Sequence, residues 1–303
     1  MTDRPKQQTA ADFQPEVLRL FDQYVHGQLD RRGFLDRAAR YAAGGAAGAA
    51  GLLAALSPNF AQAQQVAPDD ARIKTEFVEF PSPGGYEKVR AYVARPANSK
   101  GPLPVVLVAH ENRGLNPHIE DITRRLAVAD FIAVAPDALF PLGGYPGDED
   151  KARELFGKLD QAKTREDFIA SAHYARSIAG SNGQLGAVGF CYGGGIVNML
   201  ATQVKELRTG AAFYGSPPPL DQVMNIGSNT ELLMIFAAED DRINSSWPAY
   251  KDTLEVAGVK FEAEKYPGTQ HGFNNDTTPR YDKAAAGQAW GRTMALFNRV
   301  LRA

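Results

Sequence analysis

Every side chain from Leu103 to Ala109, in the stretch LPVVLVAH, is apolar. A strand with no polar face must be covered on both sides, so it belongs inside a sheet sandwiched between helices. FIAVAP (131–136), GQLGAVGF (183–190), GAAFYG (210–215) and LLMIFAA (232–238) are further β-rich runs, and FEAEKY (261–266) reads as a last strand. Between and after them, 119–130, 148–159, 165–179, 191–202, 246–257 and 281–302 have helical patterning. Strand–helix alternation of this kind predicts an α/β fold with a mainly parallel sheet and helices on both faces. Residues 73–80 and 89–94, separated by a Pro-Gly-Gly turn, add an antiparallel pair at one edge and bring the sheet to about eight strands.

The run ending at Phe190 leads into GFCYGGG, which holds the chain's one cysteine. With one cysteine there is no internal disulfide, so Cys191 is either a buried filler or a reactive thiol. Gly189 and Gly193 stand two residues either side of it, at a strand-to-helix junction. That spacing suits a sharp turn in which strand and helix backbones crowd each other and side chains at plus or minus two would clash. The turn sets the sulfur at a helix N-terminus, where unpaired N–H groups favour an anion and lower the thiol pKa. The spacing does not fit the G-x-G-x-x-G of a nucleotide-binding loop.

A thiol nucleophile needs a base, and the base needs an orienting acid. His271 is the only histidine after Cys191, in the loop following FEAEKY, while His26, His110, His118 and His173 all precede it. Glu239, Asp240 and Asp241 follow LLMIFAA and are the acid candidates. The order nucleophile, acid, histidine, with each residue beyond a strand, is that of the α/β-hydrolase fold.

With these motifs in place, residues 73–302 resemble the dienelactone hydrolase (carboxymethylenebutenolidase) family, whose most specific mark is Cys rather than Ser in the elbow. GFCYGGG matches the nucleophile segment, EDDRIN the acid segment and QHGF the base segment. The resemblance implies Cys191 as nucleophile, His271 as base and Asp240 as acid. VAHENRGLN matches a segment in which a glutamate, here Glu111, contacts the resting thiol. It also implies an oxyanion hole made by the backbone N–H groups of Tyr192 and Asn112. The arginines with which the family's namesakes hold a substrate carboxylate are not evident in PDALFPLGGYPGD or HGFNND. Arg113, Arg242 and Phe273 are the candidate substrate-binding residues instead. The reaction implied is hydrolysis of a small ester or lactone, with no metal or organic cofactor. A non-catalytic binding or thiol redox-sensing protein on the same scaffold is the alternative, as is acyl transfer to an alcohol.

A net charge of −2 gives no basic footprint for nucleic acid. Residues 64–303 are long enough for one large domain, and 70–303 are taken as the catalytic unit. Residues 1–63 read differently. Arg31 and Arg32 precede an uncharged Ala/Gly/Leu stretch (41–56), and Ala61-Gln62-Ala63 follows. These features resemble a twin-arginine export leader, cleaved after Ala63, implying a periplasmic or secreted protein that meets the membrane only in transit.

Overall fold

The computed structural model describes residues 8–303. The eight expected strands are all present: β1 (Ile73–Ser82), β2 (Glu87–Pro96), β3 (Leu103–Ala109), β4 (Ile132–Pro136), β5 (Ser181–Phe190), β6 (Leu207–Phe213), β7 (Glu231–Ala237) and β8 (Lys260–Tyr266). They form one sheet in the order β1-β2-β4-β3-β5-β6-β7-β8. β1 pairs antiparallel with β2, and β2 with β4; every other pairing is parallel. This is the α/β-hydrolase fold.

The apolar runs of β3 to β7 are central because each has two faces to bury. Val105 and Leu107 point into one core layer, Val106 and Val108 into the other. The first layer is closed by helices α6 (Glu149–Phe156), α7 (Gln161–Ser177), α8 (Tyr192–Gln203) and α10 (Trp247–Val256), and the second by α5 (Pro117–Val128) and α11 (Lys283–Leu301). A short helix, α9 (Asp241–Asn244), follows β7. Asn116, Asp148, Asp160, Asp240 and Asp282 cap helix N-termini through their side chains, which is why those helices begin where they do.

The N-terminal segment forms four helices, α1 (Pro15–Val25), α2 (Arg31–Ala38), α3 (Ala46–Leu56) and α4 (Phe60–Ala63). In α1 the residues Val17, Leu18, Phe21 and Tyr24 recur at helical spacing and bury against Phe34, Leu53 and Leu56 in a third, separate core. This small bundle lies against the rest of the chain. Tyr24 donates its hydroxyl to Asp150, Arg31 pairs with Asp150 at 2.9 Å, and the Arg153 guanidinium sits over the Tyr24 ring at 4.2 Å. No described helix is long and apolar enough to cross a membrane.

Candidate active site

The site sits at the carboxyl ends of β3, β5, β7 and β8, where a parallel sheet leaves a crevice. Cys191 occupies the turn between β5 and α8 with φ 56° and ψ −114°. An L-residue is strained there, and the surrounding packing enforces it. A Cβ on Gly189 would come within 2.0 Å of the Gly193 carbonyl oxygen, and one on Gly193 within 2.0 Å of the Ala109 oxygen. Strand and helix therefore meet backbone to backbone, and the thiol is thrust out of the turn. Tyr192 is the first residue of α8, so its amide has no acceptor within the helix.

His271 is buried, and its Nδ1 lies 2.5 Å from Asp240 Oδ2. The other Asp240 oxygen accepts from the Ile243 amide, so the carboxylate is held from two sides. Glu239 and Asp241, by contrast, are exposed. His271 Nε2 has no other hydrogen-bond partner among the described residues and is the nitrogen left for the thiol. Tyr214 packs against the His271 ring at 4.8 Å and Phe273 against Tyr214 at 5.7 Å.

A second imidazole reaches the sulfur. His26, just past the end of α1, places Nε2 3.6 Å from Cys191 Sγ, and its ring lies 4.7 Å from that of His271. Ligand atoms of His26, Cys191 and His271 all fall within 4.8 Å of one another. His26 Nδ1 faces Asp22, 2.8 Å from its carbonyl oxygen and 3.2 Å from its carboxylate. Burial pushes the Cys191 thiol up, but the His271 imidazolium and the hydrogen bond from His26 overcome it and hold the thiol at about 5. Burial pushes His26 down, yet Asp22 and the thiolate raise it to about 10. His271 is likewise raised: burial opposes its charge, and the thiolate and Asp240 outweigh burial. These shifts favour a thiolate with both imidazoles beside it.

The other expected residues separate. The Glu111 carboxylate accepts from Asn275 Nδ2 at 2.8 Å and lines the same cavity as Cys191, while His26 is the side chain in hydrogen-bond reach of the sulfur. Arg113 is not free to hold a substrate carboxylate. It is buried, donates to the Val25 carbonyl and to Asn112 Oδ1, and lies 3.6 Å from Glu149. The Asn112 side chain also donates to the Val25 carbonyl, at 2.9 Å, so both residues grip the C-terminal end of α1. Phe273 is wholly buried behind His271 and supports the ring rather than meeting substrate. Arg242 does reach the site, with Nη2 3.0 Å from His26 Nε2 and 3.4 Å from His271 Nδ1.

Two cavities meet at Cys191 and Asn112. The larger, about 600 Å³, is lined by His26, Ile169, Ile196, Met199, Pro217 and Arg242 among others. The smaller, about 360 Å³, is more charged and includes Glu111, Arg113, Glu149, His271 and Arg280. Asp22, His26, Tyr214 and Arg280 were not singled out from the sequence. The amphipathic spacing of Val17, Leu18, Phe21 and Tyr24 is the signal that places His26 on an ordered helix end.

The sequence model of the dienelactone hydrolase family matches residues 89–301, and that of a second family, YqhI-like, matches residues 5–43. The "Putative carboxymethylenebutenolidase" of Escherichia coli K12 is 34% identical over 245 residues, covering 76% of this chain and 88% of that protein. The "Putative hydrolase fragment YghX" of the same organism is 52% identical over 105 residues, covering 35% of this chain and 90% of the fragment. Among solved structures, the "Putative Dienelactone Hydrolase" of Klebsiella pneumoniae superposes with a TM-score of 0.67 at 31% identity, covering 75% of this chain and 99% of that one.

Proposed function

The chain belongs to the dienelactone hydrolase family of carboxylic ester hydrolases, and on that premise we propose that it cleaves small esters or lactones through a thioester on Cys191. The observation that carries the reading is the strained cysteine elbow facing a histidine whose far nitrogen is fixed 2.5 Å from Asp240. The Cys191 thiolate attacks the carbonyl carbon. The amides of Tyr192 and Asn112 hold the oxyanion. The tetrahedral adduct collapses to the thioester as His271 protonates the departing alkoxide or enolate. His271 then takes a proton from water, whose oxygen attacks the thioester carbonyl, and the acid and the thiol are released. Asp240 keeps the ring oriented and offsets its charge. A thiolate is also a good leaving group, which suits activated esters and enol lactones better than amides.

The larger cavity has an apolar floor with Arg165 and Arg242 on its lining. It fits a small ester with an apolar body, neutral or bearing one negative group. The test is turnover of p-nitrophenyl acetate, a neutral enol lactone and a carboxylated dienelactone by the full chain, beside Cys191→Ala. Turnover that disappears in the variant supports the reading. A Cys191→Ala protein that keeps most of its activity overturns it. No turnover of any substrate, with the thiol still open to alkylation, favours the thiol-sensing alternative.

Twin-arginine export to the periplasm is a separate proposal, resting on Arg31-Arg32, the uncharged stretch at 41–56 and Ala61-Gln62-Ala63. N-terminal sequencing of protein from a native envelope fraction decides it. A start at Gln64 supports export and would also rule out any part for His26 in the mature site; an intact Met1 in a cytosolic pool contradicts export.

A further inference from the structure

We propose that His26, oriented by Asp22 on the N-terminal bundle, is a second thiolate-positioning histidine, so that the hydrolytic site is complete only with the N-terminal segment in place. The inference rests on the thioester reading above and extends it to a part of the chain outside the family match, which begins at residue 89.

Three observations carry it. First, the Asp22–His26 pair stands beside the Asp240–His271 pair, the two rings 4.7 Å apart and both within reach of the sulfur. His271 Nδ1 meets the Asp240 carboxylate at 2.5 Å, and His26 Nδ1 meets the Asp22 main-chain carbonyl at 2.8 Å with the Asp22 carboxylate at 3.2 Å, so in each ring Nε2 is the nitrogen on the side of the nucleophile. A surface histidine has no need of such an orienter. Second, the catalytic body grips the end of α1 that carries His26. Asn112 and Arg113 donate to the Val25 carbonyl, Arg153 donates to the Tyr24 carbonyl at 2.5 Å, and Arg280 lies 3.6 Å from Asp22 and over the Phe21 ring. Four polar side chains of the body are thus directed to one helix end. Third, the Glu111 carboxylate accepts from Asn275, and the side chain in hydrogen-bond reach of the sulfur is His26.

The charges facing His26 are Asp22 from its own helix, the Cys191 thiolate from the elbow, Arg242 from the loop after β7 and His271 from the loop after β8, with Arg280 behind Asp22. A proton on Nε2 serves the thiolate at rest. When the sulfur becomes a neutral thioester that partner charge is gone. His26 therefore holds the nucleophile as an anion without taking over the proton transfers of His271.

The test uses the full chain and needs no natural substrate. Cys191 is the only cysteine, so iodoacetamide reports on it alone. The alkylation rate is measured against pH for the wild type, His26→Ala, His26→Gln and Asp22→Asn, alongside kcat/KM on p-nitrophenyl acetate. Loss of His26 is expected to move the alkylation midpoint up by about one pH unit or more. Hydrolysis near pH 6 should fall about tenfold or more, with less loss at pH 9. Asp22→Asn should move the midpoint the same way by less. A midpoint unchanged in both His26 variants overturns the proposal and leaves His26 a packing residue. Higher activity in His26→Ala with an unchanged midpoint also overturns it, and makes His26 an obstruction. If the wild type hydrolyses no ester yet the midpoint moves, the hydrolase reading fails while the positioning role of His26 stands.

Discussion

Cys191 is held as an anion against its own burial. Desolvation favours the neutral thiol, and two imidazoliums reverse that preference, bringing the group to about 5. Only the thiolate attacks, so the sign is fixed: reactivity is full above the depressed pKa and is lost as pH falls through it. Iodoacetamide alkylation of the wild type should therefore stay flat from about pH 9 to 6 and halve near 5, where an unperturbed thiol would already be slow below about 8.5. A midpoint above 8 would show that the imidazoles do not stabilise the anion. Asp240 and Asp241 are neighbours in sequence with opposite fates, one buried against His271 and the other exposed. Asp240→Asn should lower kcat/KM by about three orders of magnitude, whereas Asp241→Asn should leave it nearly unchanged. Equal losses in the two would contradict the assignment of the acid. Cys191, His271 and Asp240 were legible because strand ends, chain order and the glycine spacing each leave marks in one dimension. The directions of Glu111, Arg113 and Phe273 were not legible, because they are set by partners distant in sequence: Asn275 for Glu111, Val25 for Arg113, Tyr214 and Tyr266 for Phe273.

The β5–turn–α8 element converts backbone crowding into an exposed nucleophile. Gly189, Gly193 and Gly194 are closed to side chains by carbonyl oxygens, which cannot swing aside as a flexible side chain would. Gly189→Ala should cost about 1–3 kcal/mol, read from the urea midpoint, and should lower activity by displacing the thiol. A variant with unchanged stability and activity would mean the elbow is looser than its geometry implies. The strands themselves were read almost to their ends, because a run buried on both faces has no alternative placement. The N-terminal helices were not foreseen: paired arginines, an Ala/Gly-rich stretch and A-x-A suggest a leader, and those signals overshadowed the helical stripe of α1. Asp30 caps α2 by accepting from the Gly33 amide, a start signal visible in the sequence beside the two arginines.

Across the molecule, the sheet places Cys191, Asp240 and His271 just beyond the ends of β5, β7 and β8, and the N-terminal bundle brings His26 to them. Two cavities, about 600 Å³ and 360 Å³, approach the same sulfur from different sides, one largely apolar and one rich in charge. The first suits an acyl group or apolar leaving group, and the second suits water and the proton transfers that follow acylation. The sheet order and layers follow from the apolar runs, whereas the division of the cleft depends on a helix more than 160 residues upstream of the nucleophile. The claim underlying all of this is a covalent acyl group on Cys191. It is tested most directly by exposing His271→Ala to p-nitrophenyl acetate and mapping the adduct by peptide mass spectrometry after a brief quench. One acetyl group on the Cys191 peptide, absent from Cys191→Ala and cleared rapidly in the wild type, is the expected result. Release of p-nitrophenol with no adduct on Cys191, or with the acetyl group on another residue, would contradict it.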